Sequence, residues 1–403
     1  MSRVLAVADS DSYLKWAAGL LDQLPAGWTS TLTVVRTPIV PSQAQIAAAV
    51  SGTRAGAGEP PAVVAARALR RMAERDRPDA ILLACTGPVV DVLAGGVLEG
   101  LRPRPVLVSG LPGISIPATE KAWLYRGGCD LFVVHSGREV EEFGRIGKEL
   151  GASGAMALAR LPYLDHLDAF GGTGNRLVFA TQAKVPKRRD DRESILLALA
   201  RLAESRPGLD VVVKLRALEN ERQTHNERYH YERLWRALAE SGQVRPDAVR
   251  FAAGPMREHL AAAAGFVTVS STAALEAIAG RVPLLVLSDF GVSAEMINLV
   301  FEDSGCLGTL DDLARGDLRR PTAAWCEANY FHDPATGDWV AKLDALVAQA
   351  RAGTLAPVRS LLDGPEHAAA RRKARLRVEV PPNVLRAGYR ASRRVRRYLK
   401  ALG

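Results

Sequence analysis

An α/β fold is predicted, with two doubly wound domains that each carry a parallel sheet and face a common cleft. Short Val/Ile/Leu-rich runs alternate with longer amphipathic segments, the pattern of βαβ units whose strands are buried on both faces. The runs fall into two series on either side of the polar, glycine-rich DAFGGTGN at 168–175. A chain of 403 residues, 48% hydrophobic and 24% charged, is also too long for one ordinary core.

In chain order, the first series places strands at RVLAVAD (3–9), STLTVV (30–35), AILLAC (80–85), PVLVSG (105–110) and DLFVVHS (130–136), with helices around 62–76 and 137–150. The second places them at RLVFATQ (176–182), DVVVKLR (210–216), VRFAAG (249–254), GFVTVSS (265–271) and PLLVLSD (283–289). The expected organisation is an N-terminal domain over 1–167, a linker over 168–175, a second domain over 176–350 and a basic helical tail over 351–403. Ligands of parallel sheets bind beyond the carboxyl ends of the strands, so the strand-end loops of both domains should line the cleft.

The richest stretch is GFVTVSSTAALEAIAGRVPLLVLSDFG (265–291), which reads as strand, Ser-Ser-Thr turn, helix and buried strand. Backbone N–H groups of such a turn, with the hydroxyls of Ser270, Ser271 and Thr272, suit an anion. Glu276, one turn further on, is placed to accept hydrogen bonds from a vicinal diol. The alternative, that Ser270 or Ser271 simply caps a helix, stays open. GGTGNR (171–176) precedes a strand where a dinucleotide fingerprint must follow one, and is read as part of the linker.

Charge and cysteines exclude several classes. From Pro365 to Gly403 there are 12 Arg or Lys against Glu366 and Glu379, so the net charge of +9 is a property of the tail and the rest carries −1. A basic nucleic-acid face on the folded body is therefore not expected, and no recognised motif for one is present. NVLRAGYRASRRVRRYLKALG (383–403) has the pattern of a basic amphipathic helix on an anionic membrane surface; a solvated tail fits equally well. No run of 18 apolar residues and no basic-then-apolar leader is seen, so a cytoplasmic body, peripheral at the inner face of the plasma membrane, is expected. Cys85, Cys129, Cys306 and Cys326 lack metal-site or disulfide-framework spacing and should be reduced.

These residues resemble GT-B nucleotide-sugar glycosyltransferases, with two Rossmann-like domains, FATQ opening the second, a strand ending in Lys-x-Arg, and SSTAALEA before a buried strand. The nearer likeness is to bacterial sialyltransferase, Kdo-transferase and CDP-glycerol transferase-like enzymes of capsules and wall polymers. The stretch through VPLLVLSDFGVSAEMIN is also similar to an uncharacterised bacterial family of glycosyltransferase type, and the likeness covers most of 1–345. It implies that Ser270, Ser271 and Thr272 hold the donor phosphate. Lys214 is kept from the family's Lys-Pro-His-Pro-like motif, but Arg216 stands where the His would be. Arginine binds phosphate bidentately and does not act as an acid near neutral pH, so the leaving group would be stabilised by charge.

The implied activity is metal-independent transfer from a nucleotide sugar, CMP-ulosonic acid type favoured, to a surface glycan or lipid-linked acceptor, with no cofactor. Thr181, Gln182, Lys184 and Gly254 are the further donor-side candidates. Asp9, Asp11 and His135 are the candidate bases on the acceptor side; the acidic pair also reads as a common helix cap, and a strand-end histidine is often structural. His225 and His230, on a charged insertion, and His259, near a helix start, are weaker donor-side candidates. Two other readings stand beside this one: a nucleotide-sugar 2-epimerase of the same fold, and a GT-B scaffold that binds nucleotide or glycan without chemistry.

Overall fold

Each of the ten apolar runs forms a strand in the computed structural model, which describes residues 1–164, 174–215, 227–380 and 384. The strands build two α/β units. The first unit comprises Met1–Gly113, Ala118–Pro162 and the chain from Asp333; the second comprises Ile114–Pro117 and Tyr163–His332.

The first unit's sheet holds β1 (Ser2–Ala8), β2 (Trp28–Val35), β3 (Val63–Val64), β4 (Ala80–Ala84), β5 (Val106–Gly110), β6 (Leu131–Val134) and β7 (Ala155–Leu158) in the order β3-β2-β1-β4-β5-β6-β7. All pairings are parallel. Successive residues of a strand point to opposite faces, so Val4, Ala6 and Ala8 pack with Leu14, Trp16 and Leu21 of the helix Asp11–Asp22, while Leu5 and Val7 pack with Leu69 and Val90. Burial on both faces is what the continuous apolar runs encode.

The second unit's sheet holds β8 (Arg176–Ala180), β9 (Asp210–Lys214), β10 (Arg250–Ala252), β11 (Ala263–Thr268), β12 (Leu284–Leu287) and β13 (Leu307–Gly308) in the order β10-β9-β8-β11-β12-β13, again all parallel. The three strands without an apolar run to announce them, β3, β7 and β13, are all sheet edges. An edge strand has one neighbour, and here each is two residues long or partly exposed.

Two boundaries differ from expectation. The second unit ends at His332 and not at residue 350, because the helix Trp339–Ala352 buries Trp339, Leu343 and Val347 in the first unit's core beside Val4 and Leu21. Each such side chain contributes about 1.5–3 kcal/mol relative to exposure. The early part of the basic segment is likewise packed structure. The helix Ala368–Glu379 buries Val378 against the first unit and joins Arg371 to the buried Asp91 at 2.9 Å. Of the expected linker and of the amphipathic stretch 383–403, only residues 174–175 and Val384 are among those described. No helix among the described residues is long and apolar enough to cross a membrane.

Candidate functional site

The second unit reverses its strand order at β8, which has β9 on one side and β11 on the other. Connections leave such a pair in opposite directions and open a crevice beyond the carboxyl ends. Five of the donor-side candidates meet here. The Gln182 amide donates to the Ser270 carbonyl oxygen at 2.5 Å and accepts from the Ser270 hydroxyl at 2.9 Å. Thr181 donates both its amide and its hydroxyl to the Lys214 carbonyl oxygen, at 3.1 and 3.2 Å, tying β8 to β9. Thr268, not singled out from the sequence, donates its hydroxyl to Ala180 and accepts from the Ser271 amide at 3.1 Å, fixing the turn from below.

The three hydroxyls of the turn are together but do different work. Ser270 is buried and held by Gln182. The Ser271 hydroxyl accepts from the Ala273 amide at 3.2 Å, as a cap does. Thr272 is half-buried with helical backbone, and its hydroxyl and amide have no partner among the described residues. The trio that was expected to converge on one anion is therefore a clamp, a cap and one open donor pair. The helix behind it, Ala273–Ala279, has only seven residues and adds little dipole.

At the ends of the neighbouring strands, Lys184 is exposed just beyond β8 and Lys214 is half-buried at the end of β9. Gly254 sits beyond β10 with φ of +108°, a backbone that a side chain would strain. His259 is 7% exposed, with Nε2 3.2 Å from the Ala253 carbonyl oxygen and Nδ1 buried without a partner. A ring nitrogen facing a carbonyl carries the proton, so Nδ1 is left as an acceptor. Burial, and then the positive charges of Lys214, Arg176 and Arg250, lower its pKa from the ordinary 6.5. Glu276 is half-buried on the helix after the turn. Arg216 and His225 lie outside the described residues, while His230 is buried at the start of the helix Tyr231–Glu240, 3.6 Å from Glu232.

One residue of this region carried no sequence signal. Arg192 is 2% exposed and donates to the carbonyls of Gln182 (3.2 Å), Ala183 (2.9 Å), Pro186 (2.9 Å) and Tyr229 (2.5 Å). It also pairs with Glu227, and its guanidinium lies 4.9 Å from the Tyr231 ring centroid. A single cation thus holds the loop that presents Gln182 and Lys184. In the sequence it is one Arg of the charged run KRRDDRES.

In the first unit the corresponding reversal is at β1, between β2 and β4. Asp9 at the end of β1 is wholly buried and accepts from the Thr86 hydroxyl at 2.5 Å and the Thr86 amide at 2.9 Å. Burial raises its pKa and the two Thr86 donors pull against that. The expectation that Asp9 faces an acceptor is corrected: its carboxylate is covered and positions Thr86. Asp11 begins the helix Asp11–Asp22 and keeps a partly exposed carboxylate.

His135 is also corrected. It is fully buried, with Nδ1 2.9 Å from the Ala159 carbonyl and Nε2 accepting from the Trp16 indole N–H at 2.7 Å. Nε2 also lies 3.0 Å from the Leu111 carbonyl oxygen, so both ring nitrogens are occupied by neighbouring groups. The ring orients Trp16 and is not at hand to take a proton from a substrate. Among the described residues no three His, Cys, Asp or Glu side chains gather as a metal cluster. Cys85, Cys129 and Cys306 are buried and all four thiols are free.

The fold is shared with solved structures. A Staphylococcus aureus MnaA–UDP structure is 12% identical, with 89% of this chain and 99% of that one covered at a TM-score of 0.52. A UDP-N-acetylglucosamine 2-epimerase is 13% identical over 87% of this chain and 95% of its own, TM-score 0.53. The Methanocaldococcus jannaschii UDP-GlcNAc 2-epimerase in complex with UDP-GlcNAc and UDP is 9% identical over 86% and 99%, TM-score 0.51. At these identities the likeness is one of fold, the two-unit α/β arrangement of GT-B proteins. No curated protein matches by sequence. The family described as "Putative glycosyltransferase (DUF6716)" matches residues 4–346.

Proposed function

We propose that this chain, which belongs to the glycosyltransferase family matched over residues 4–346, transfers a sugar from a nucleotide donor held at the strand ends of its second unit. Family membership gives the reaction class. The observation that carries the donor site is the Gln182–Ser270 clamp at the strand-order reversal, which leaves the Thr272 amide and hydroxyl open beside Ser271. Sugar transfer from a nucleotide requires stabilisation of the departing phosphate, and preorganised donors with nearby cations provide it. In this reading Thr272 binds the phosphate, Lys184 and Lys214 supply positive charge, and no metal takes part. The His259 Nδ1 accepts a hydrogen bond from the nucleoside. Asp11, the candidate base whose carboxylate reaches solvent, deprotonates the acceptor hydroxyl.

One open amide–hydroxyl pair matches one phosphoryl group, so the donor class we favour is the CMP-ulosonic acid type, with a surface glycan or lipid-linked acceptor. A second reading is favoured by the epimerases that share the fold, a nucleotide-sugar 2-epimerase. The two separate cleanly: an epimerase converts UDP-GlcNAc with no acceptor present, and a transferase does not.

Thermal-shift titration with CMP, CDP, UDP and GDP tests the donor site. A nucleotide at a hundredfold its Kd stabilises by about 2.7 kcal/mol. The expected outcome is selective stabilisation by one nucleotide, retained in EDTA and lost in Thr272→Ala and Lys214→Ala. Stabilisation by none of the four, or by one that both variants bind normally, overturns the reading.

A further inference from the structure

The first unit contains a cavity of about 600 Å³, the size of a small-molecule site. It is lined by the loop after β2, through Thr37, Pro38 and Ile39, and by the start of the segment after β4, through Thr86, Pro88 and Val89. Those two loops flank β1, so the cavity occupies the reversal of strand order, where open parallel sheets bind ligands. Its remaining wall is Asp91, Tyr125 and the helix Ala368–Glu379 with the residues just before it.

The lining is chemically divided. Pro38, Ile39, Pro88, Val89, Ala370 and Ala374 make the interior apolar, and Ile39 leaves 43% of its surface exposed. Three of the polar groups inside, Asp91, Thr86 and Arg371, are already used. Asp91 accepts from Ser360 at 2.7 Å on one oxygen and from Arg371 at 2.9 Å on the other. Thr86 gives its hydroxyl proton to Asp9. Arg371 is neutralised by Asp91 and Asp363. Lys373 and Arg377, also lining the cavity, are exposed and make no ion pair with any described acid. A nucleoside would find no free carboxylate for its ribose here.

We infer that this cavity binds an amphiphile with a phosphate at one end, an alkyl or isoprenoid phosphate, its chain against Ile39, Val89 and Ala370 and its phosphate on Lys373 and Arg377. As the acceptor of a sugar transfer this ligand rests on the function proposed above; as a binding site it stands on the cavity alone. The helix from the basic segment then serves as the wall that supplies charge to an apolar pocket at the strand ends.

The test is isothermal titration of the full chain with dodecyl phosphate below its micellar concentration, with dodecyl maltoside and inorganic phosphate as the uncharged and chainless controls. Saturable one-to-one binding of dodecyl phosphate, at least tenfold tighter than either control, is expected. It should weaken at least tenfold in Lys373→Glu/Arg377→Glu and in Ala370→Trp, whose melting curves should match the parent chain. Equal affinity for inorganic phosphate, equal affinity for the maltoside, or indifference to both variants overturns the inference. So does complete displacement of dodecyl phosphate by phosphatidylglycerol vesicles, which would assign the cations to bulk lipid. Nucleotide titration of the same samples keeps the two readings apart. Nucleotide binding without dodecyl phosphate binding removes this inference alone, and the converse removes the donor reading while leaving the cavity site in place.

Discussion

Gln182 grips Ser270 from both sides, donating to its carbonyl oxygen and accepting from its hydroxyl across the gap between β8 and β11. Asp9 and Thr86 make the equivalent crosslink between β1 and β4 in the first unit. Both lie where the strand order reverses, the one place in each sheet where neighbouring strands send their connections to opposite sides. A polar bridge there holds the crevice at a fixed width. In the second unit the bridge also sets where Thr272 stands.

Replacing Gln182 with Leu should therefore cost more than one hydrogen bond. The Ser270 hydroxyl and carbonyl are left buried without partners, a loss of about 1–3 kcal/mol for each unsatisfied group. Nucleotide affinity should fall at least tenfold. Urea denaturation and the nucleotide titration measure the two effects, and an unchanged affinity with reduced stability would confine Gln182 to a structural role.

Arg192 should be the least replaceable residue of this region. Its removal strips four carbonyls of a donor and leaves the carboxylate of Glu227, 5% exposed, without its counter-ion. Breaking a buried pair from one side costs about 3–5 kcal/mol. Arg192→Met is expected to lose that much in urea denaturation, and Arg192→Lys should recover only a small part, because an ammonium cannot reach so many acceptors in one plane. Arg192→Met/Glu227→Leu, with no stranded charge, should regain part of the loss; failure to do so would locate the cost in the carbonyls.

How much of this was legible in the sequence follows from what each feature requires. The ten central strands are legible because burial on both faces demands unbroken apolar runs, and Ser270 to Thr272 are legible because turns favour small hydroxylated residues. Arg192 is invisible because four of its partners are backbone carbonyls, which leave no side-chain pattern, and its side-chain partners Glu227 and Tyr231 lie more than thirty residues away in sequence. His135 misleads for a related reason: a strand-end histidine looks the same whether it faces substrate or sits between Trp16 and the Ala159 carbonyl. The division of the chain at 350 failed because Trp339, Leu343 and Val347 specify a buried helix face without specifying which sheet buries it.

His259 gives a pH dependence with a definite sign. Its folded pKa lies below 6.5, so between the two values the unfolded chain binds a proton that the folded chain refuses. The resulting stability is fully present above pH 6.5 and is lost as pH falls toward the folded value. His259→Gln keeps a donor for the Ala253 carbonyl and removes the titration. Subtracting its stability curve from the parent's should leave a decline confined to pH below 6.5. A difference curve that is flat there would place the histidine in solvent.

His135 should fail as a catalytic base in an informative way. Gly110 shows how tightly its partner is held, since a Cβ there would stand 2.5 Å from the Trp16 ring. His135→Asn keeps a donor for the Ala159 carbonyl but leaves the Trp16 indole N–H unsatisfied, at a cost of about 1–3 kcal/mol. If His135 took the acceptor proton, this change would abolish the rising limb of the pH–rate profile. Because its ring is buried and occupied on both sides, that limb should persist, with stability alone reduced. Asp11→Asn should do the opposite, leaving stability within about 1 kcal/mol as expected of a partly exposed first-turn acid while removing turnover, so the pair of variants assigns the base by which property each one changes.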